Sequence, residues 1–205
     1  MGIVERRARQ KQSLRDEILA AARAMFAEEG FEQVSMRRLA ERIEYSPTTI
    51  YLHFKDKDAL FQAVSDETFH RLVVRLQKQR AAHADRPLQG LRAGLREYID
   101  FALRHPDHYI VTFMRRPPGH ATAAFEGTPG ERAFDILRQA VRDCQAAGLL
   151  RPVHPEVAAQ VLWMSVHGLV SLLVAKEGFP FAPRAALIET QLDTLIGGLL
   201  ASPPG

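Results

Sequence analysis

The chain holds a single cysteine, Cys144, so no intramolecular disulfide can form, and such thiol usage fits a reducing compartment. Set among Val141, Gln145 and Ala147, that cysteine reads as a small core residue. GxSxG, a phosphate-cradling glycine loop, HExxH and CxxC are all missing, which removes the commonest hydrolase, nucleotide-binding and zinc-site signatures. No catalytic residue, metal or cofactor is expected. His105 and His108 flank Asp107, but Pro106 intervenes and no third ligand is near, so they read as surface or helix-end residues. No segment alternates as a strand would, and there is no internal repeat or low-complexity tract. The longest apolar run, Val157 to Ala175, is interrupted by Gln160, Ser165, His167 and Ser171. It is at the lower limit for crossing a bilayer, and its polar interruptions favour a buried or interface helix, so no membrane partner is expected. Met1 to Lys11 is polar and basic without an apolar core, the composition of a chain without a secretory leader; a cytoplasmic location is expected.

What is present suits a helical protein of ordinary composition. The 205 residues, 46% hydrophobic and 25% charged, can bury one large core or two small ones. A formal charge of +3 is mildly basic and compatible with a nucleic-acid partner.

The most informative stretch runs from Ser35 to Leu60. Ser35 is suited to cap a helix carrying Met36, Leu39, Ala40 and Ile43 on one stripe. Glu44-Tyr45 makes a turn. Ser46 then caps a second helix that opens on Pro47, where a missing N–H costs nothing, and runs to about His53. So short a helix needs Ile50 and Phe54 to hold it by packing. Its exposed groups are Thr48, Thr49, Tyr51 and His53, flanked by Arg37, Arg38, Lys55 and Lys57. Two short helices, a tight turn and a polar second helix among cations describe a helix-turn-helix.

Around this unit, residues 1–13 form a basic arm with Arg6, Arg7, Arg9 and Lys11, readable as a solvated tail or as a phosphate or minor-groove contact. Residues 14–29 form a helix with Ser13 as its cap and Gly30 as its stop. A long helix starts near Asp56 and closes at Asp85-Arg86-Pro87; its stripe is less regular around Ser65 to Thr68. Further helices are predicted over Leu88–Arg104, Pro106 to about Arg115, Glu131–Ala147, Pro155–Glu177 and Pro183–Leu200, with a loop over residues 116–130. The expected architecture is all-α with about nine helices, a small N-terminal unit and a larger C-terminal bundle.

The Phe26 to Phe31 stretch with Ala24 nearby, Val34-Ser35, Leu39-Ala40 and the run Ser46-Pro47-Thr48-Thr49-Ile50-Tyr51-Leu52-His53-Phe54-Lys55-Asp56-Lys57-Asp58-Ala59-Leu60 resemble the tetracycline-repressor (TetR/AcrR) family of bacterial transcription regulators. The resemblance covers residues 14–64. It departs at Glu44, where the family often has Gly; a positive φ there would cost Glu about 1 kcal/mol against Gly. A second stretch, Trp163-Met164-Ser165-Val166-His167-Gly168-Leu169, is similar to the Trp…His-Gly signature of one subgroup of such C-terminal domains.

The resemblance implies a homodimeric, ligand-responsive repressor on a palindromic operator in double-stranded DNA. Residues 1–58 would bind DNA; residues 59–205 would bind the effector and dimerise. Ser46 and Pro47 would open the helix entering the major groove, with Thr48 and Thr49 on it and Tyr51 and His53 gripping phosphates. Arg37 is the candidate for a bidentate guanine contact, Lys57 for a phosphate, and Arg6 and Arg7 for contacts from the arm. An apolar effector with one or two hydrogen-bonding groups would be lined by Tyr98, Phe101, Phe113, Met114, Trp163 and His167. Trp163 and His167 share a helix face and equally suit a core tryptophan beside a hydrogen-bonded histidine. Gly168 suggests a close approach of a helix or ligand. Dimerisation is expected on the last two helices, with Leu187, Leu192, Leu195, Ile196 and Leu199 as a second stripe and Gly197-Gly198 allowing close approach. Two other classes stay open: an all-α ligand-binding or enzymatic protein that has lost DNA binding, and a helical protein–protein adaptor.

Overall fold

The computed structural model describes residues 2–115, 125–176 and 178–201. The described residues form nine α-helices: α1 (Ile3–Glu29), α2 (Met36–Arg42), α3 (Pro47–Tyr51), α4 (Lys57–Ala82), α5 (Pro87–Arg104), α6 (Pro106–Tyr109), α7 (Pro129–Ala146), α8 (Pro155–Ala175) and α9 (Arg184–Gly197). A π-helical turn, Ile110–Met114, continues α6. The one β-type pairing among the described residues is an isolated antiparallel bridge between Leu150 and Leu200. The all-α expectation holds.

The chain divides into two compact units, Met1–Thr68 with Asp107–Ala123, and Phe69–Pro106 with Ala124–Gly205. The division falls inside α4, at the place where its apolar stripe is irregular. The irregularity has a structural cause: Ser65 and Thr68 are buried polar residues. Thr68 donates its hydroxyl proton to Val64 O at 3.1 Å. A hydroxyl has one proton, so the 2.9 Å bond to His108 runs from His108 Nδ1–H to Thr68 Oγ1. His108, expected at the surface or a helix end, is therefore a buried residue that ties the end of one segment of the first unit to the start of the other.

Within the first unit, Ile18, Ala22, Met25 and Phe26 of α1 pack with Leu39 and Ala40 of α2, Ile50 of α3 and Leu60 and Val64 of α4. Phe26 stacks with Phe31, and both meet Phe61 edge-on, at centroid distances of 5.2–5.8 Å. Val111 of the π-helical turn is fully buried in the same core. One element differs from expectation: α1 starts at Ile3, not Leu14, so the basic arm is a helix. The reason is local. Residues 3–13 are mostly Arg, Gln, Lys, Glu and Ala, strong helix formers. Glu5 Oε2 accepts from Gly2 N at 3.0 Å in the first turn, and Gln12 Nε2 donates to Asp16 Oδ1 at 2.7 Å across the point where Ser13 was to cap.

Within the second unit, α5 packs against α7, α8 and α9. Leu91, Leu95, Ile99 and Ala102 of α5, Val141 and Cys144 of α7, Leu162 and Val166 of α8 and Ile188 and Leu192 of α9 are buried. Burial, then the neighbouring Asp143 charge, pushes the Cys144 thiol up to about 11, so it is an inert core group at neutral pH. Thr128 caps α7 by accepting from Glu131 N at 3.1 Å, which lets Pro129 take the first helical position ahead of the expected start at Glu131. Of the loop expected over residues 116–130, residues 116–124 lie outside the described residues.

Candidate nucleic-acid interface

The helix-turn-helix is built by caps. Ser35 Oγ accepts from Arg38 N at 3.2 Å and starts α2. The helix ends in a Schellman turn: Tyr45 N donates to Ala40 O at 3.0 Å and Glu44 N to Glu41 O at 3.3 Å. This pattern requires a left-handed residue at the penultimate place, and Glu44 takes it with φ 59°. The strain anticipated for a non-glycine residue is real. Ser46 Oγ then accepts from Thr49 N at 3.2 Å, and Pro47 occupies the first position of α3.

α3 is anchored by Ile50, which is fully buried, and by Phe54, whose N–H donates to Ile50 O at 3.0 Å. Its other faces are open: Pro47, Thr48 and Tyr51 are exposed. Thr49 is half-buried, and its hydroxyl shares a 2.8 Å hydrogen bond with Ser46 Oγ. His53 is not on the helix, which stops at Tyr51; it lies in the following turn, with its N–H on Ile50 O at 2.9 Å. Burial, then the charges of Lys11 and Arg15, holds its imidazole below the usual histidine value, so it is neutral at pH 7. Leu52, three-quarters exposed beside α3, carried no sequence signal because an apolar residue at a helix end ordinarily packs inward.

The cations around α2 and α4 are already engaged. Arg37, largely exposed, pairs with Glu41 at 2.9 Å. Arg38 pairs with Glu29 at 2.6 Å and Arg42 with Glu28 at 3.4 Å. Lys57, the phosphate candidate, donates to Phe31 O at 3.0 Å and sits 4.1 Å from the centroid of the Phe31 ring. Its ammonium fastens the segment between α1 and α2 to the start of α4, leaving two of its three N–H donors for any phosphate. Arg15, half-buried and not anticipated, places its guanidinium 4.8 Å from the Phe54 ring centroid. Arg6 and Arg7 are exposed on the first turns of α1.

The residues proposed to line an effector site separate. Tyr98, Phe101, Trp163 and His167 belong to the second unit, Phe113 and Met114 to the first. Tyr98 Oη and His167 Nδ1 share a 2.9 Å hydrogen bond, and burial holds His167 below the usual histidine value. Trp163 lies between His167, at 5.6 Å, and Phe134, at 6.0 Å between centroids, and is partly exposed. Phe101 is buried, with Arg75 over its ring at 5.8 Å. Phe113 meets Tyr109 at 5.2 Å, and Met114 is exposed. A Cβ on Gly168 would meet nothing within 4 Å, so none of the described residues makes the close approach expected there. No group of three or more potential metal ligands occurs among the described residues.

Residues 18–64 match the family described as "Bacterial regulatory proteins, tetR family", and residues 91–195 match "Tetracyclin repressor-like, C-terminal domain". The HTH-type transcriptional regulator UidR of Escherichia coli (strain K12) is 25% identical over 93% of this chain and 95% of its own length. A solved structure of a protein of unknown function from Rhodococcus sp. RHA1 is 27% identical, with a TM-score of 0.77 over 92% of this chain and 96% of that one. A TetR family transcription regulator from Marinobacter aquaeolei VT8, 21% identical, shares the fold with a TM-score of 0.75 over 95% of this chain and 100% of that one. With a helix-turn-helix assembled cap by cap at its N-terminal end and both family matches on the same chain, this protein belongs to the TetR family and is a DNA-binding transcriptional regulator.

Proposed function

We propose that the protein is a homodimeric repressor that binds a palindromic operator and is released by a small, mostly apolar effector. The observation that carries the dimer is the division of α8 into two opposite apolar faces. Ala158, Ala159, Leu162, Val166 and Val170 are buried within the unit. On the other side, Val157, Val161, Met164 and Leu172 are 42–57% exposed, with Gly168 in the same row. α8 is long and apolar enough to cross a bilayer by length and composition. One face of it, carrying Ala158, Ala159, Leu162, Val166 and Val170, is packed on protein, however, so a second copy suits the opposite apolar face better than lipid does. A two-fold axis would set α8 against its counterpart, with Gly168 allowing close approach. The stripe expected on α9 supports this less, since Leu192, Ile196 and Leu199 are core residues.

Thr48 and Tyr51 would meet the major groove and its backbone. Arg37 would exchange Glu41 for a guanine edge, so Arg37→Ala should relax preference at one base pair per half-site and cost about 1–3 kcal/mol. The effector would sit near the Tyr98–His167 pair. Burial holds His167 below the usual histidine value, which suits a neutral polar group on an apolar molecule; Trp163 and His167 also lie in the stretch that resembles the Trp…His-Gly signature of one subgroup. To regulate, the effector must favour the non-DNA geometry by about 1–3 kcal/mol. Light scattering on the purified protein, and sequencing of fragments it selects from a random DNA library, test the reading together. A dimer selecting inverted repeats is expected. A monomer selecting sites without two-fold symmetry would refute it. Apolar compounds that release those fragments should also shift the emission of Trp163, the sole tryptophan.

A further inference from the structure

We propose that Arg7, Lys11 and Arg15 of α1, together with His53, form a phosphodiester-binding stripe beside α3 that extends the DNA contact beyond the half-site read by the helix-turn-helix. This rests on the DNA-binding reading and adds to it a row of contacts on a different helix.

The argument begins with helical spacing. Positions 7, 11 and 15 are four apart, so each lies about 40° around the helix from the last and about 6 Å further along it, making one row. α1 is unbroken from Ile3 to Glu29, so these cations stand on a regular helix instead of a loose tail. The row leads to the recognition helix. Arg15 lies over the ring of Phe54, the buried residue closing the turn after α3, and the charges of both Lys11 and Arg15 act on His53 in that turn. Arg6, one residue before Arg7, projects about 100° away and falls outside the row.

Pairing supplies the second strand of the argument. Arg37, Arg38 and Arg42 of α2 each have a carboxylate partner. Among the described residues, no carboxylate lies within ion-pair distance of Arg7, Lys11 or Arg15. Like charges four residues apart destabilise a helix by about 0.2–0.5 kcal/mol per pair, a cost that an anion running along the row reverses. A DNA strand is such an anion: it presents its charges at regular short intervals and releases counterions as they are neutralised. His53 completes the row as a group that gains a proton when a phosphate approaches.

The experiment uses the full chain and a DNA fragment the parent protein selects from a random library. Binding is measured against salt for the parent, for Arg7→Gln/Lys11→Gln/Arg15→Gln, for Arg6→Gln, and for the charge-conserving Arg7→Lys/Arg15→Lys. The triple variant loses three cations from each subunit of the dimer, so the expected result is a salt slope smaller by about 5 and at least tenfold weaker binding near physiological salt. Its ranking of operator variants should be unchanged, and its hydroxyl-radical footprint should lose the outermost protected positions. The charge-conserving variant should keep the parent slope, and Arg6→Gln should lower it by less than one third as much. A folded triple variant with the parent's slope and footprint overturns the proposal while leaving the DNA-binding reading intact. A parent protein that selects no DNA overturns that reading itself, and the stripe falls with it.

Discussion

α3 and α8 each leave uncovered a face that the protein's own core does not use, and the two faces are chemically opposite. α3 spans five residues and buries one of them, Ile50; it turns hydroxyls toward water. α8 spans 21 residues and buries five, yet shows water a second row of Val, Met and Leu. A polar face is solvated at little cost until a partner arrives. An apolar one forfeits about 25 cal/mol for each Å² that stays wet. The difference separates the partners: a hydrated polyanion for α3, and a surface as apolar as itself for α8. It also separates vulnerability, because α3 depends on one buried side chain where α8 has redundancy.

The comparison can be broken most severely at Ile50. Ile50→Ala should cost about 2–5 kcal/mol of first-unit stability and abolish binding to selected DNA. Hydrogen exchange should show lost protection in α2 and α3 with α5 and α8 unaffected; equal loss in both units would mean that they unfold as one. On α8, Met164→Arg should leave helix content unchanged but give a monomer by light scattering, with at least a hundredfold weaker DNA binding, about 2.7 kcal/mol. A Met164→Arg dimer would move the interface off this face. Leu195, half-buried beside Leu192 and Ile196, is a poorer probe because a charge there would disturb the core as well.

Smaller effects sharpen the picture of the interface. Glu44→Gly relieves the left-handed strain and should raise the stability of the first unit by up to about 1 kcal/mol. A chemical denaturation midpoint that falls would show that the Glu44 side chain contributes more than its backbone costs. His53 should yield the smallest signal, one of pH. Its folded-state value is depressed, so below the usual value of about 6.5 the unfolded chain binds more protons. Stability is therefore complete above that value and declines as pH falls through it toward the depressed folded value. His167, depressed by burial, contributes in the same direction in the second unit. DNA affinity should move oppositely, strengthening as pH falls, because a phosphate favours the charged imidazole. His53→Gln should flatten that affinity profile, and an unaltered profile would take His53 away from the phosphates.

Much of the helix-turn-helix was legible because its signals are short-ranged. Ser35 and Ser46 cap by reaching amides three residues ahead, Pro47 needs only the first helical slot, and Glu44 acquires its positive φ from a turn closed within six residues. That the arm continues α1 was not legible although its composition favours helix, because Ser13 offers a cap that the chain passes over. The fate of side chains that reach distant partners was not legible. Lys57 bonds a carbonyl 26 positions away, and His108 a hydroxyl 40 positions away. The proposed effector residues were grouped by character, and character does not say that Phe113 and Met114 fall in a different compact unit from Trp163.

By itself, then, the order of residues determined helix against strand, the caps and turn of the DNA-reading unit, and the excess of apolar surface on α8, since each depends on interactions within a few residues or on composition along one face. Tertiary packing alone decided that Arg38 and Arg42 of α2 pair with Glu29 and Glu28 of α1, that His108 is buried, that no other described part of the chain approaches Gly168, and that Leu192 and Leu199 are buried where Leu195 is half-buried. These depend on which helix lies across from which, and that is fixed by the packing of whole faces.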